Sequence, residues 1–283
     1  SQLIPAERRT KILAWYNLTG SLATALGALA GGAVAQALQE RGVEAAESYR
    51  PLVFGYGAIG IVLAAMFACL TGATEIAPGG PAVPRSRWGL HRSSGVVLRL
   101  SVLFAMDSFG GGFVIQSAVA YWFHIRFGVP PAKLGGIFFG ANVLAGFSAF
   151  VAVALARRIG LVRTMVYTHI PSNVLLILVP LMPTQEWAIV VLLLRFSISQ
   201  MDVPTRQSYT LAVVAPEERS AASGVTGVAR SVGAALAPAL VMDLFARPGW
   251  MSVPFYLAGG IKIVYDLLLW RLFRAVRPPE EGG

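Results

Sequence analysis

An all-α polytopic bundle of membrane-spanning helices is the fold class this sequence predicts, and three observations predict it. Only 13% of the 283 residues are charged, 55% are hydrophobic, and mean hydropathy is +0.64, whereas a soluble domain carries about 25% charged residues. The apolar residues fall into eight stretches, each near or above the roughly 20 residues that a bilayer crossing needs. Lys and Arg gather at the ends of these stretches, and mostly on one side.

The stretches run over 12–38, 52–73, 97–125, 133–157, 162–182, 186–213, 217–246 and 250–274. Turn and charge signals separate them: Gln39-Glu40-Arg41-Gly42, Gly128-Val129-Pro130-Pro131, Arg157-Arg158-Ile159-Gly160, Met182-Pro183-Thr184, Pro216-Glu217-Glu218-Arg219 and Arg247-Pro248-Gly249. Most stretches exceed the spanning minimum, so tilted or kinked helices are expected. Segment 74–96 is rich in Gly, Pro and Arg and reads as a cytoplasmic linker. It divides residues 1–73 from residues 97–283 with their cytoplasmic tail. Fifteen Lys and Arg lie on the side of the termini and linker and five on the other. The positive-inside rule then puts both termini in the cytoplasm of a multi-pass cell-membrane protein. The same clustering explains the net charge of +9 without nucleic acid. Cys69, the lone cysteine, stands in an apolar run and reads as a small buried residue.

An internal repeat adds to this. Pro5-Ala6-Glu7-Arg8 is followed by Ser21-Leu22-Ala23-Thr24-Ala25-Leu26, and Pro216-Glu217-Glu218-Arg219 by Ser231-Val232-Gly233-Ala234-Ala235-Leu236. The spacings are 211 and 210 residues. Both copies enter an apolar helix from the same side, and those helices are the first and the seventh. Six helices per period, in one orientation, is the parallel repeat of transporters with two six-helix halves. On this reading residues 1–73 end the N-terminal half, four helices precede Ser1, and the chain holds eight of an expected twelve in a 6+6 pseudo-symmetric fold.

Three motifs accompany the repeat. Gly27-Ala28-Leu29-Ala30-Gly31-Gly32 is similar to the Gly-Pro-x-x-Gly-Gly core in the fifth helix of major facilitator superfamily antiporters, with Ala28 at the proline position. Its repeat partner Ala237-Pro238-Ala239-Leu240 keeps the proline. Ala156-Arg157-Arg158-Ile159-Gly160-Leu161-Val162-Arg163 resembles that family's Asp-Arg-x-Gly-Arg-Arg loop, matching at Arg158 and Gly160. The Pro-x-Glu-Arg entry is the third. Together these features resemble the major facilitator superfamily, drug/proton antiporters in particular, over essentially the whole chain. The resemblance implies a secondary transporter working by alternating access, with proton-coupled export of a small organic compound. It makes the third and sixth stretches cavity-lining helices, and Gly27, Gly31, Gly32, Arg158, Gly160 and Pro238 gating or packing positions. A metabolite importer of the same fold is the alternative, as is a non-transporting membrane receptor or scaffold.

Ionisable residues inside a bilayer are costly and mark sites. Asp107 lies about 15 Å into the third stretch, at 1.5 Å per residue, and begins Asp107-Ser108-Phe109-Gly110-Gly111-Gly112. The glycine run weakens the helix and admits a neighbour. Asp202 lies about 16 Å into the sixth stretch, which also holds Arg195, Gln200, Pro204 and Arg206. Asp107, Gln116, Arg195, Gln200 and Asp202 are therefore the candidates to bind solute or protons. Arg195 is the one to neutralise an aspartate or hold an anionic group.

Local spacing assigns the remaining charges to structure. Asp202 and Arg206 are four apart and pair on one face, as do Lys262 and Asp266. Arg230 is expected to bond across a helix interface. Asn17, Asn142, His169 and Asn173 read as packing contacts, since interhelical hydrogen bonds contribute only about 0.6 kcal/mol. Trp15, Tyr16, Trp122, Trp187, Trp250 and Trp270 read as an interfacial belt. No catalytic, metal-ligating or ATP-binding motif is present. The chain is thus expected to be no enzyme, to need no cofactor or metal, and to draw on an ion gradient. The lipid bilayer, a small solute and protons are the expected partners.

Overall fold

The computed structural model describes residues 6–69, 89–247 and 249–274, with side chains from residue 11 onward. Most of the 74–96 linker, both chain ends and part of the first Pro-x-Glu-Arg entry lie outside the described residues. Among the described residues ten α-helices follow one another: α1 (Ala6–Glu40), α2 (Arg50–Ala68), α3 (Ser94–Gly112), α4 (Gln116–Phe127), α5 (Pro131–Ile159), α6 (Leu161–Leu178), α7 (Gln185–Ser199), α8 (Asp202–Ala212), α9 (Arg219–Ala246) and α10 (Val253–Phe273). They make eight spans long and apolar enough to cross a membrane, the third composed of α3 with α4 and the sixth of α7 with α8. The chain is a multi-pass helical membrane bundle. With 35 residues, α1 is about 50 Å long, well beyond a hydrocarbon core of about 30 Å, so it must tilt or protrude.

The two broken spans are the ones that carry Asp107 and Asp202. The glycine run closes α3, and Phe113–Ile115, near the middle of the third span, separate α3 from α4. In the sixth span the break falls at Gln200–Met201, ahead of Pro204, which sits in the first turn of α8 where its missing N–H costs nothing. Elsewhere the connections are tight. Gly128 ends α4 at φ +68, and Gly160, at φ +88, is the single residue between α5 and α6. Residues with a Cβ rarely adopt such angles. Pro51, Pro131 and Pro254 stand in the first turns of α2, α5 and α10.

α1 packs along α5, α3 along α9, and α10 against α6 and α3, while α7 and α8 lie on α5 and α6. Among the described residues two large apolar clusters result, with a small third of Val97, Val214 and Ala222. One joins Phe113, Trp122, Phe123, Phe138, Leu176, Leu192 and Phe255; the other joins Leu100, Phe104, Met165, Tyr209, Tyr265 and Leu269. Along α3, α6 and α10 the residues between these clusters form a buried polar layer containing Asp107, His169 and Lys262. Trp122 is fully buried, with edge-on contacts to Phe123, Phe127 and Phe255, and so belongs to the core rather than to an interfacial belt. α2 buries no residue among the described ones, and Cys69 at its end is exposed instead of buried.

Candidate functional site

Four elements bring ionisable side chains to the polar layer. α3 supplies Asp107, α6 supplies His169 and Asn173 one turn apart, α8 supplies Asp202 and Arg206, and α10 supplies Lys262 and Asp266. Each of these seven is buried. Asp107 is their hub. Its Oδ1 accepts from Lys262 Nζ at 2.6 Å and its Oδ2 from Arg206 Nη1 at 2.9 Å, while His169 Nε2 stands 3.8 Å from Oδ1. Arg206 Nη1 also reaches Asp202 Oδ2 at 3.0 Å, and its guanidinium lies 5.4 Å from the Phe104 ring. Asp266 pairs with His169 Nδ1 at 2.8 Å and accepts from Asn173 Nδ2 at 3.1 Å.

The helical i,i+4 expectation therefore holds for Asp202 and Arg206, with Asp107 as a second partner. It fails for Lys262 and Asp266. Lys262 turns to Asp107 on α3 because Gly110 and Gly111 leave room for its stem: a Cβ at Gly110 would stand 3.2 Å from Lys262 Cγ, and one at Gly111 3.7 Å from Nζ. Asp266 is then left to His169 and Asn173, two residues that spacing had suggested only as packing. The signal was there in their own spacing, four apart on α6 with Lys262 and Asp266 four apart on α10. Local spacing alone does not say which pairs face each other. Arg206 also leaves the cytoplasmic tally of positive residues, since it is buried here.

The other candidates divide. Gln116 opens α4 and accepts from Asn142 Nδ2 at 3.0 Å, and Gln200 and Asn142 share the wall of a cavity of about 510 Å³ with Tyr16, Asn17, Gly20 and Thr24 of α1. The cavity wall meets the charged layer through chain continuity from Gln200 to Asp202 and through Asn17, 3.4 Å from Gln207. Arg195 is half-buried over the Phe196 ring at 5.2 Å, with its Nε buried and unbonded. Asp107 and Asp202 are its electrostatic neighbours, but no ion pair joins it to either among the described residues. Arg230 likewise has a buried, unbonded Nε, so its expected interface bond is absent among the described residues.

Among the gating positions, Gly32 meets α5 closely: a Cβ there would lie 3.0 Å from Gly135 Cα, and one at Gly135 would lie 2.8 Å from the Ala28 carbonyl. Gly112 approaches Ala234, Ala237 and Pro238 of α9 in the same way, the two alanine contacts at 2.8 Å. Gly31 faces Leu52 at 3.7 Å, and Gly27 faces open space. Arg158 is exposed in the last turn of α5, where a cation complements the helix C-terminus.

Buried charges thus gather beside the breaks in two membrane-spanning helices, next to a polar-walled cavity. An uncharacterized membrane protein of Saccharomyces cerevisiae is 24% identical to the chain, in an alignment covering 98% of this chain and 68% of the yeast protein. The sequence model of the Major Facilitator Superfamily matches residues 1–238. The chain belongs to the Major Facilitator Superfamily, a superfamily of secondary transporters.

Proposed function

We propose that the protein couples proton movement to the export of a small organic compound by alternating access. The observation that carries this reading is the grip of Lys262 and Arg206 on Asp107, between two apolar clusters and next to the breaks in both charged spans. Two cations hold this carboxylate ionised, so it takes up a proton only in an arrangement where Lys262 and Arg206 have moved off it. Ionised, it binds α10 and α8 to α3; protonated, it loses the charge that binds them. Cavity water reaching the layer on one side and then the other would load and unload that proton. The break at Gln200–Met201 places Gln200 on the cavity and Asp202 in the layer, so solute and proton sites share one short segment. Export, rather than import, is supported by the resemblance of Gly27–Gly32 to the antiporter motif and by the close approach of Gly32 to Gly135.

The test uses inside-out vesicles carrying the full-length protein and a mixed metabolite pool read by mass spectrometry. An imposed inward-acid gradient is expected to drive uptake of at least one compound. Asp107→Asn is expected to abolish the gradient-driven component and to leave exchange of that compound between the two faces. Gradient-driven uptake that survives Asp107→Asn would remove Asp107 as the coupling group, and uptake indifferent to the gradient would remove proton coupling altogether.

A further inference from the structure

Among the described residues, the charged layer taken together with Arg195 and Arg230 beside it holds more fixed cations than anions, and these two arginines enter no ion pair. Three carboxylates, Asp107, Asp202 and Asp266, face four cations, Lys262, Arg206, Arg195 and Arg230. All three carboxylates are engaged: Asp107 by Lys262 and Arg206, Asp202 by Arg206, and Asp266 by His169 and Asn173. Arg195 and Arg230 remain, each half-buried with a buried Nε that has no hydrogen-bond partner among the described residues. Arg195, on α7, feels the charges of Asp107 and Asp202, and Arg230, on α9, feels Arg206 most strongly and then the same two aspartates. Protonation of His169 would only enlarge the excess.

Guanidinium groups are permanent cations with five donors in a planar fork, and they match carboxylate and phosphate oxygens two at a time. A bare one inside a membrane calls for an anion. The adjoining cavity has the volume of a small-molecule site, yet none of its lining residues is charged. The repeat gives Arg230 an independent link to the pathway. At the 210-residue spacing it occupies the position that Gly20 holds in α1, and Gly20 lines the cavity.

We propose that the transported solute is a small organic oxyanion, a carboxylate or a phosphate, and that Arg195 and Arg230 bind its charged group. The inference rests on the transporter reading and specifies its substrate class. A cationic solute would find every carboxylate of the layer occupied and, beside it, two arginines outside any ion pair among the described residues.

Purified full-length protein in detergent tests this without transport. Thermal unfolding is followed while malonate, benzoate or inorganic phosphate is titrated, with benzamide and tetraphenylphosphonium as neutral and cationic controls. At least one anion is expected to raise Tm, and neither control is. Preference for the carboxylates or for phosphate identifies the oxyanion. Arg230→Gln and Arg195→Gln are each expected to weaken that anion about tenfold or more, as loss of a charge-assisted pair should. Arg230→Lys and Arg195→Lys, which keep the charge, should lose less. If a Gln variant fails to elute as a single species, its Lys counterpart and the wild-type panel decide.

Stabilisation by tetraphenylphosphonium and by no anion overturns the proposal, as does a panel in which nothing binds. Equal anion affinity in wild type and both Gln variants overturns it too. Failure of the transport reading looks different: the anion binds through the arginines, but no pH gradient moves it.

Discussion

The seam between α1 and α5 and the polar layer joining α3, α6, α8 and α10 hold helices together by opposite means. Along the seam no charged residue occurs from Ile12 to Leu38 or from Leu134 to Ala156. Contact is made by small residues: Gly32 against Gly135, and Gly146 against Leu18 and Ser21, with Trp15 edge-on to Phe150 at 5.0 Å. One hydrogen bond at the seam's end runs from the Ala132 backbone N–H to Gln36 Oε1 at 3.0 Å. In the layer, by contrast, a few short ion pairs fix the relation of four helices. A smooth seam of backbone contacts permits sliding, whereas buried ion pairs permit only discrete arrangements. In the alternating-access reading proposed above, the seam is the surface that moves and the ion pairs are the latch that chooses between states.

The comparison can be broken at the latch first. Lys262→Met leaves Asp107 buried with half its counter-charge, and removing one partner of a buried pair costs about 3–5 kcal/mol. The loss should appear as a lowered thermal midpoint in detergent. Adding Asp107→Asn should recover much of it, and a double variant no better than Lys262→Met would show that the pair does not act as a unit. On the seam, Gly32→Val drives a side chain into the Pro131 carbonyl and Gly135, an overpacking that costs about 1–3 kcal/mol. It should also slow solute exchange more than it lowers the midpoint, and exchange unaffected by it would mean that the seam does not move. The smallest effect belongs to Gly27→Ala. A Cβ there meets nothing within 4 Å, so the change should stay within about 0.5 kcal/mol of wild type. A large loss at Gly27 would point to a neighbour on that open face.

The spans were legible in the sequence because bilayer crossing is set by hydropathy over about 20 residues, which needs no knowledge of neighbours. All eight stretches reappear as spans, their ends shifted by a few residues. The breaks were half legible. A run of three glycines and Pro204 marked the right spans, yet the chain parts at Phe113–Ile115 and Gln200–Met201, where the surrounding helices decide the direction of the next segment. Pairing across helices was least legible. Spacing joined Asp202 to Arg206 correctly but also joined Lys262 to Asp266, because four-residue spacing describes one helix alone. The preference of Lys262 for Asp107 follows from the packing of α10 on α3 over Gly110 and Gly111, a tertiary fact. Trp122 was misplaced for the same reason: depth along a helix does not reveal which face is covered.

Asp107 touches three helices at once, α10 through Lys262, α8 through Arg206 and α6 through the nearby His169. If Asp107 is the one coupling group, as proposed above, each turnover carries one proton. One pH unit is about 1.36 kcal/mol per proton, so a one-for-one exchanger supports roughly a tenfold concentration ratio for each unit of gradient, before any membrane potential is counted.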